Sequence, residues 1–370
     1  MRKTIFWVAA EKSADIHASV IISRLPQFDH IGVGGKKMVD VGLKPKMPFE
    51  IFAVMGVIDV VKKALFFRLV LKKIKTIFQS GTIDLVVLVD YPGLNLKIAA
   101  LAKKQRIKVV YYILPKVWAW NERRAFKLNR LCDKLLCIFP FEVGFYRDLG
   151  IEATFVGNPI KDEIFIKKTR SQFAKENRLD IKKRWIGLFP GSRNSEVKKL
   201  MPIFLKLAKS LDSEIFEVIV SKSDSVDKNL FPPANNSFIY LSNSNYEIMK
   251  YSFFLFIKSG TATLEAAIVG TPFAICYKTD WLFYLLARRF IKVGFIGLPN
   301  IIANKSVVKE FIQKNLTAQN LHKYLLQVCA DRKKYQRLLE DIHAATKLLD
   351  TKNREISAET EIKKLAMRDS

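Results

Sequence analysis

Two doubly wound α/β domains are what this sequence predicts, and three observations carry the prediction. Short apolar runs ending in turn residues alternate with amphipathic stretches along the whole chain. Twice, at 186–196 and at 253–265, such a run stops at a glycine turn and a helix opens behind it. Between the two sets of runs, residues 157–184 are rich in Lys, Asp, Gln and Asn, as a hinge would be. A chain of 370 residues is also long for one core and fits two. The domains read as 1–160 and 161–350, with a C-terminal tail at 351–370 that frays or packs back on the first domain.

Taken in order, residues 3–9 are the first strand. The run resembles a signal peptide in outline, but it is short and meets Glu11 and Lys12 at once, so a buried strand is the better reading. A helix follows from near Asp15, with Ser13 and Asp15 suited to capping it. Residues 31–35 are a strand running into a glycine turn, and 84–89 are a strongly apolar strand ending at Asp90-Tyr91-Pro92-Gly93. A carboxylate at the carboxyl end of a strand lies where open α/β sheets hold their ligands. Asp90 therefore has two readings: a general base for an attacking hydroxyl, or an Asp that satisfies turn N–H groups. Residues 108–114 and 134–139 are further strands. The loop between them carries Pro115, Trp118 and Trp120, followed by a basic helix with Arg123 and Arg124. In the second domain, strands fall near 185, 216, 238, 254 and 273.

The two glycine turns suggest phosphate chemistry. After Phe189 the chain reads Pro190-Gly191-Ser192-Arg193, and Ser192 or Ser195 is placed to cap a helix from near Glu196. A helix start offers unpaired N–H groups and a positive dipole end, and Arg193 supplies a forked donor. After Ile257 comes Lys258-Ser259-Gly260-Thr261-Ala262-Thr263-Leu264-Glu265. Small residues there admit close approach, and Glu265 suits ribose hydroxyls. Each turn also has a plain reading as a capped helix, but two in one half point to a nucleotide diphosphate at the strand ends.

Composition sets further bounds. Lys and Arg number 62 against 35 Asp and Glu, a net charge of +27, so an anionic partner is expected, with lysine drift explaining part of it. An apolar content of 49% excludes wholesale disorder. Cys132, Cys137, Cys276 and Cys329 show no CxxC spacing and read as reduced thiols, and the four histidines form no metal pattern, so no metal is expected. No apolar run reaches the roughly 18 residues of a membrane span. Residues 51–79 interleave large apolar and basic residues: Leu65, Leu69, Ile74 and Phe78 suit a core face, leaving Phe66, Phe67 and Val70 for an interfacial membrane contact. The alternative is a buried helix with snorkelling lysines.

These motifs, together with Tyr111-Tyr112-Ile113-Leu114-Pro115-Lys116-Val117-Trp118-Ala119-Trp120, Phe139-Pro140-Phe141-Glu142, Val156-Gly157-Asn158-Pro159 and Leu298-Pro299-Asn300, resemble the lipid-A-disaccharide synthase family over roughly residues 3–345. The resemblance implies a GT-B glycosyltransferase, with two Rossmann-like domains facing across a cleft. It implies inverting transfer from UDP-2,3-diacylglucosamine to 2,3-diacylglucosamine 1-phosphate, without a cofactor. It assigns Gly191, Ser192, Arg193, Glu196, Ser259, Gly260, Thr261, Ala262, Thr263, Glu265, Asn300 and Gln313 to the nucleotide. It assigns Ser13, Asp15, Met55, Gly56, Asn95, Tyr112 and Arg124 to the acceptor, and Asp90 to catalysis. It places the protein in the cytoplasm, peripheral on the anionic inner membrane, with homodimer formation common in the family. The chain departs from the family pattern at Ala10 and Ala14, where glycines are usual, at Gly93, where a second acid is usual, and at Asn158, where a histidine is usual. Rival readings are another UDP-sugar enzyme of this fold and an inactive basic relative. No RRM, zinc-finger or helix-turn-helix signature supports a nucleic-acid partner.

Overall fold

The computed structural model describes residues 2–47, 60–234, 238–281, 294–351 and 355–368; the side chains of 60–65 and 120 fall outside that description. The chain divides into two compact units, Met1–Pro159 with Leu349–Ser370, and Ile160–Leu348. The tail, set apart in the sequence, is therefore part of the first unit. Its helix Ala358–Met367 buries Ala358, Ile362 and Ala366. Lys3 Nζ donates to Ala366 O and Lys108 Nζ to Arg368 O, while Arg24 pairs with Glu359 at 3.1 Å and Lys134 with Glu361 at 3.0 Å.

The first unit holds a seven-stranded sheet of β1 (Thr4–Ala9), β2 (Asp29–Val33), β3 (Lys44–Pro45), β4 (Leu85–Val89), β5 (Lys108–Tyr112), β6 (Lys134–Cys137) and β7 (Thr154–Phe155). The strand order is β3-β2-β1-β4-β5-β6-β7, with every pairing parallel. The second unit holds β8 (Arg184–Phe189), β9 (Phe216–Lys222), β10 (Ile239–Ser242), β11 (Phe254–Lys258), β12 (Phe273–Tyr277) and β13 (Glu310–Ile312), in the order β10-β9-β8-β11-β12-β13, again all parallel. Parallel strands are covered by helices on both faces, and β4 and, as far as Ile257, β11 read as apolar runs because neither face meets water. β3, β7 and β13 have two or three residues each and carry no apolar run of their own, so the sequence reading passes over them. Trp7 is fully buried, and its Nε1–H finds His30 Nδ1 at 3.0 Å.

The helix Val60–Gln79 corrects two sequence expectations. Val70, Ile74 and Phe78 lie one turn apart and are buried, so Val70 belongs to the core and not to a membrane contact. Leu69, expected in the core, is 68% exposed. Phe66 and Phe67 are half-buried against the core, and Phe67 meets the Tyr91 ring edge-on. Among the described residues, no helix is long and apolar enough to cross a membrane.

Each sheet reverses its direction of winding once. In the first unit the reversal falls between β1 and β4, and in the second between β8 and β11. The loops leaving those strand pairs diverge at the carboxyl edge, the place where doubly wound sheets bind ligands.

Candidate functional site

In the second unit the chain leaves β8 through Pro190-Gly191 and enters the Asn194–Ser210 helix; it leaves β11 through Ser259-Gly260 and enters the Thr261–Val269 helix. Neither helix start is capped by a side chain. Ser192 and Ser195 thus do not serve as the expected caps, and the first helix begins ahead of Glu196. Because β8 and β11 are paired neighbours, two uncapped positive ends open at adjacent strand termini. That combination suits a diphosphate.

The turn after β8 requires glycine. Gly191 has φ +116°, and a Cβ there would lie 2.5 Å from Glu196 Oε2. Glu196 Oε2 accepts from Ser192 N at 3.2 Å. Its Oε1 takes Lys258 Nζ at 2.6 Å, and Arg193 Nη1 lies 3.8 Å from that same oxygen. Glu196, expected among the ligand contacts, is instead engaged by the loop and by two cations. Arg193, Ser192 and Thr261 are exposed, and Gly191, Ala262 and Glu265 are half-buried. Burial, and then Glu163, raises the Glu265 carboxyl above its usual range.

Other residues expected at the nucleotide have structural partners. Asn300 is fully buried with its amide saturated: Nδ2 donates to Val308 O and Glu310 Oε1, and Oδ1 accepts from Val307 N and Val308 N, all at 2.9 Å. It shapes its loop and cannot reach a ligand. Gln313 is held by the Thr279 backbone, accepting at 2.8 Å and donating at 3.1 Å. Thr263 is buried with Oγ1 on Gly260 O at 2.7 Å, and Ser259 Oγ donates to Ile296 O at 2.8 Å.

In the first unit, Asp90 and Tyr91 follow β4 with φ of +49° and +44°, two consecutive left-handed residues without a glycine. Such backbone costs of order 1–3 kcal/mol per residue and persists only when surrounding bonds enforce it. Here they do. Tyr111 Oη donates to Asp90 O at 2.6 Å, Asn95 Nδ2 donates to Asp90 O at 2.7 Å and Val89 O at 3.1 Å, and Asp90 N reaches Tyr112 O at 3.0 Å. Asn95, expected at the acceptor, is fully buried and instead buckles this turn. Burial raises the Asp90 carboxyl above the usual carboxylate range, opposed by the Tyr91 N–H and by the charges of Lys116 and His17. The carboxyl itself is half-buried.

Asp15 is also committed elsewhere than expected. It is buried and accepts from Gly35 N at 2.8 Å, Lys37 N at 3.1 Å and Met38 N at 3.1 Å, fastening the loop behind β2. Ser13 is exposed, Tyr112 is buried at the end of β5, and Arg124 is half-buried. Met55 and Gly56 lie outside the described residues. Ala10 and Ala14 are absent from the described residues with positive φ, so alanine imposes no strain at either position. A Cβ on Gly93 would meet open space.

Glu142, buried behind the tryptophan loop, accepts from Trp118 Nε1 and Phe139 N, both at 3.1 Å. Burial pushes its carboxyl up to about 7. Among the described residues no group of three or more His, Cys, Asp or Glu side chains is arranged to hold a metal. Sequence reasoning passed over Lys258, His17 and Lys116; for Lys258 the available signal was a lysine directly ahead of Ser259 at the end of an apolar strand.

A model of the lipid-A-disaccharide synthetase family matches residues 5–364. The chain belongs to that family. The lipid-A-disaccharide synthase of Persephonella marina is 34% identical over 363 residues, covering 95% of this chain and 96% of the relative. That of Trichlorobacter lovleyi is 36% identical over 329 residues, covering 86% of each. Among solved structures, a putative UDP-N-acetylglucosamine 2-epimerase from Listeria monocytogenes superposes with a TM-score of 0.65 at 10% identity over 94% of each chain. The glycotransferase of kitacinnamycin gives 0.61 at 10% identity, over 99% of this chain and all of that one. At such identities these likenesses show the two-domain α/β fold alone.

Proposed function

We propose that this member of the synthase family joins two acylated glucosamine units at a membrane surface. The donor is UDP-2,3-diacylglucosamine and the acceptor is 2,3-diacylglucosamine 1-phosphate. The acceptor 6-hydroxyl attacks the donor anomeric carbon from the face opposite UDP, whose C–O bond breaks, and the products are a tetraacyl disaccharide 1-phosphate and UDP. The observation that carries this reading is the pair of uncapped helix starts at the β8/β11 reversal, beside Arg193. Charge grows on the leaving diphosphate, and preorganised N–H dipoles and a guanidinium stabilise it there. Asp90 takes the hydroxyl proton; desolvation strengthens it as a base, since its raised pKa brings it toward the acidity of the group it must deprotonate. The reaction as proposed needs no cofactor.

Exposed Leu69 and the helix Arg123–Leu131, where Phe126 is 53% exposed beside exposed Arg123, Lys127 and Arg130, support contact with an anionic lipid surface on the cytoplasmic side. The test is a transferase assay in detergent micelles with both acylated substrates, comparing the native chain with Arg193→Ala and Asp90→Asn. Disaccharide formation that collapses in both variants supports the reading. UDP binding without disaccharide in the native chain refutes the proposed substrates.

A further inference from the structure

The Glu196 carboxylate presents a problem for an anion site, because it stands at the mouth meant for a diphosphate. Its surroundings resolve the problem. Glu196 is on the first turn after β8, and Lys258 is the last residue of β11, so their 2.6 Å ion pair ties together the two loops at the reversal. Both side chains are mostly shielded, 15% exposed for Glu196 and 20% for Lys258. Arg193 Nη1, whose side chain is 79% exposed, lies 3.8 Å from the same carboxylate oxygen. The cluster therefore carries two positive charges to one negative. Lys258 Nζ is also 4.0 Å from where a Cβ of Gly260 would stand. That glycine is the residue from which the second helix opens, so the ammonium lies at the foot of that helix mouth.

From this arrangement we propose that Lys258 is a second cation for the donor's diphosphate and that Glu196 is the positioning residue which holds it there. The inference rests on the nucleotide reading above and deepens it. An ammonium carries three donors and uses one on Glu196 Oε1, so it retains donors for phosphate oxygens. Glu196 also takes the Ser192 N–H, which fixes the turn that presents Arg193. The carboxylate thus gathers a guanidinium from one loop and an ammonium from the other before any ligand arrives. Their mutual repulsion is offset in advance, and no reorganisation is needed when charge moves onto UDP.

The test compares UDP with UMP, which differ by the phosphate that the two cations would meet. Full-length native protein, Lys258→Met, Lys258→Arg and Glu196→Gln are titrated with each nucleotide by calorimetry, and thermal melts verify folding. The native chain should bind UDP more tightly than UMP. In Lys258→Met that preference should shrink about tenfold or more, Lys258→Arg should keep most of it, and Glu196→Gln should fall between. A purely structural role for the pair would weaken UDP and UMP alike, so an unchanged ratio in a folded Lys258→Met overturns the proposal. Should Lys258→Met not fold, Lys258→Gln replaces it, and the same ratio decides. Native protein that binds neither nucleotide refutes the nucleotide site itself, a different outcome from tight UDP binding indifferent to Lys258.

Discussion

Replacing Gly191 by alanine is the sharpest single test of how the nucleotide loop is built. The substitution acts twice. Its φ of +116° lies outside the regions open to L-residues, at a cost of order 1–3 kcal/mol. The new Cβ would also stand 2.5 Å from Glu196 Oε2 and 2.9 Å from Glu196 Cβ, too close to remain. If the carboxylate swings away it gives up the Ser192 N–H and the Lys258 pair, and a lost hydrogen bond to a charged group costs about 1.5–3 kcal/mol. The two effects together amount to roughly 2.5–6 kcal/mol, which for a unit of this size lowers the melting temperature by about 5–24 °C. Gly260→Ala is the control: its φ of 167° is extended backbone, and nothing lies nearer than Lys258 Nζ at 4.0 Å. Calorimetric melts of both variants, with and without UDP, give the answer. Gly191→Ala should melt early and respond weakly to UDP, whereas Gly260→Ala should melt near the native chain. A Gly191→Ala protein with native melting and native UDP affinity would refute the argument that Glu196 and the glycine turn are interlocked.

Four further outcomes are expected. Asp90→Asn should lower kcat by about 10²- to 10⁴-fold with UDP affinity intact, and the acid limb of native kcat/KM should lie above the usual carboxylate range. Removing a cation that favours the ionised form, by Lys116→Met, should move that limb to higher pH. Glu142 binds its proton more tightly folded, at about 7, than unfolded, so its stabilising effect is full below the unfolded value of about 4.5 and is lost as pH rises through about 7; Glu142→Gln should remove that slope from thermal melts taken across the interval. Gly93→Asp should raise stability by roughly 1 kcal/mol, since it places a carboxylate in the first turn of the Pro92–Lys104 helix, in open space, and removes a helical glycine; chemical denaturation measures this.

The main strands were legible because a strand buried on both faces writes itself as a continuous apolar run, as in Leu85–Val89 and residues 254–257. The glycine turns were legible for the same local reason. What escaped depends on partners remote in sequence. Asn300 reads as a ligand contact because a carboxamide after Leu298-Pro299 looks free; only the return of Val307, Val308 and Glu310 shows it saturated. Lys258 reads as the solvated end of a strand until Glu196, 62 residues earlier, is brought beside it. Leu69 and Val70 exchange places because residues 65–71 are apolar at nearly every helical phase, leaving no single stripe to read.

The return of the chain to its first unit has a consequence for the order of assembly. Lys3, beside the first strand, bonds to Ala366, and Ile362 has no exposure at all. During synthesis, the Ile160–Leu348 unit is translated before that helix. The earlier-made half of the molecule is therefore the later one to be completed, waiting with one flank uncovered while the inserted half folds. A released chain truncated after residue 350 should present a finished second unit and a protease-sensitive first one.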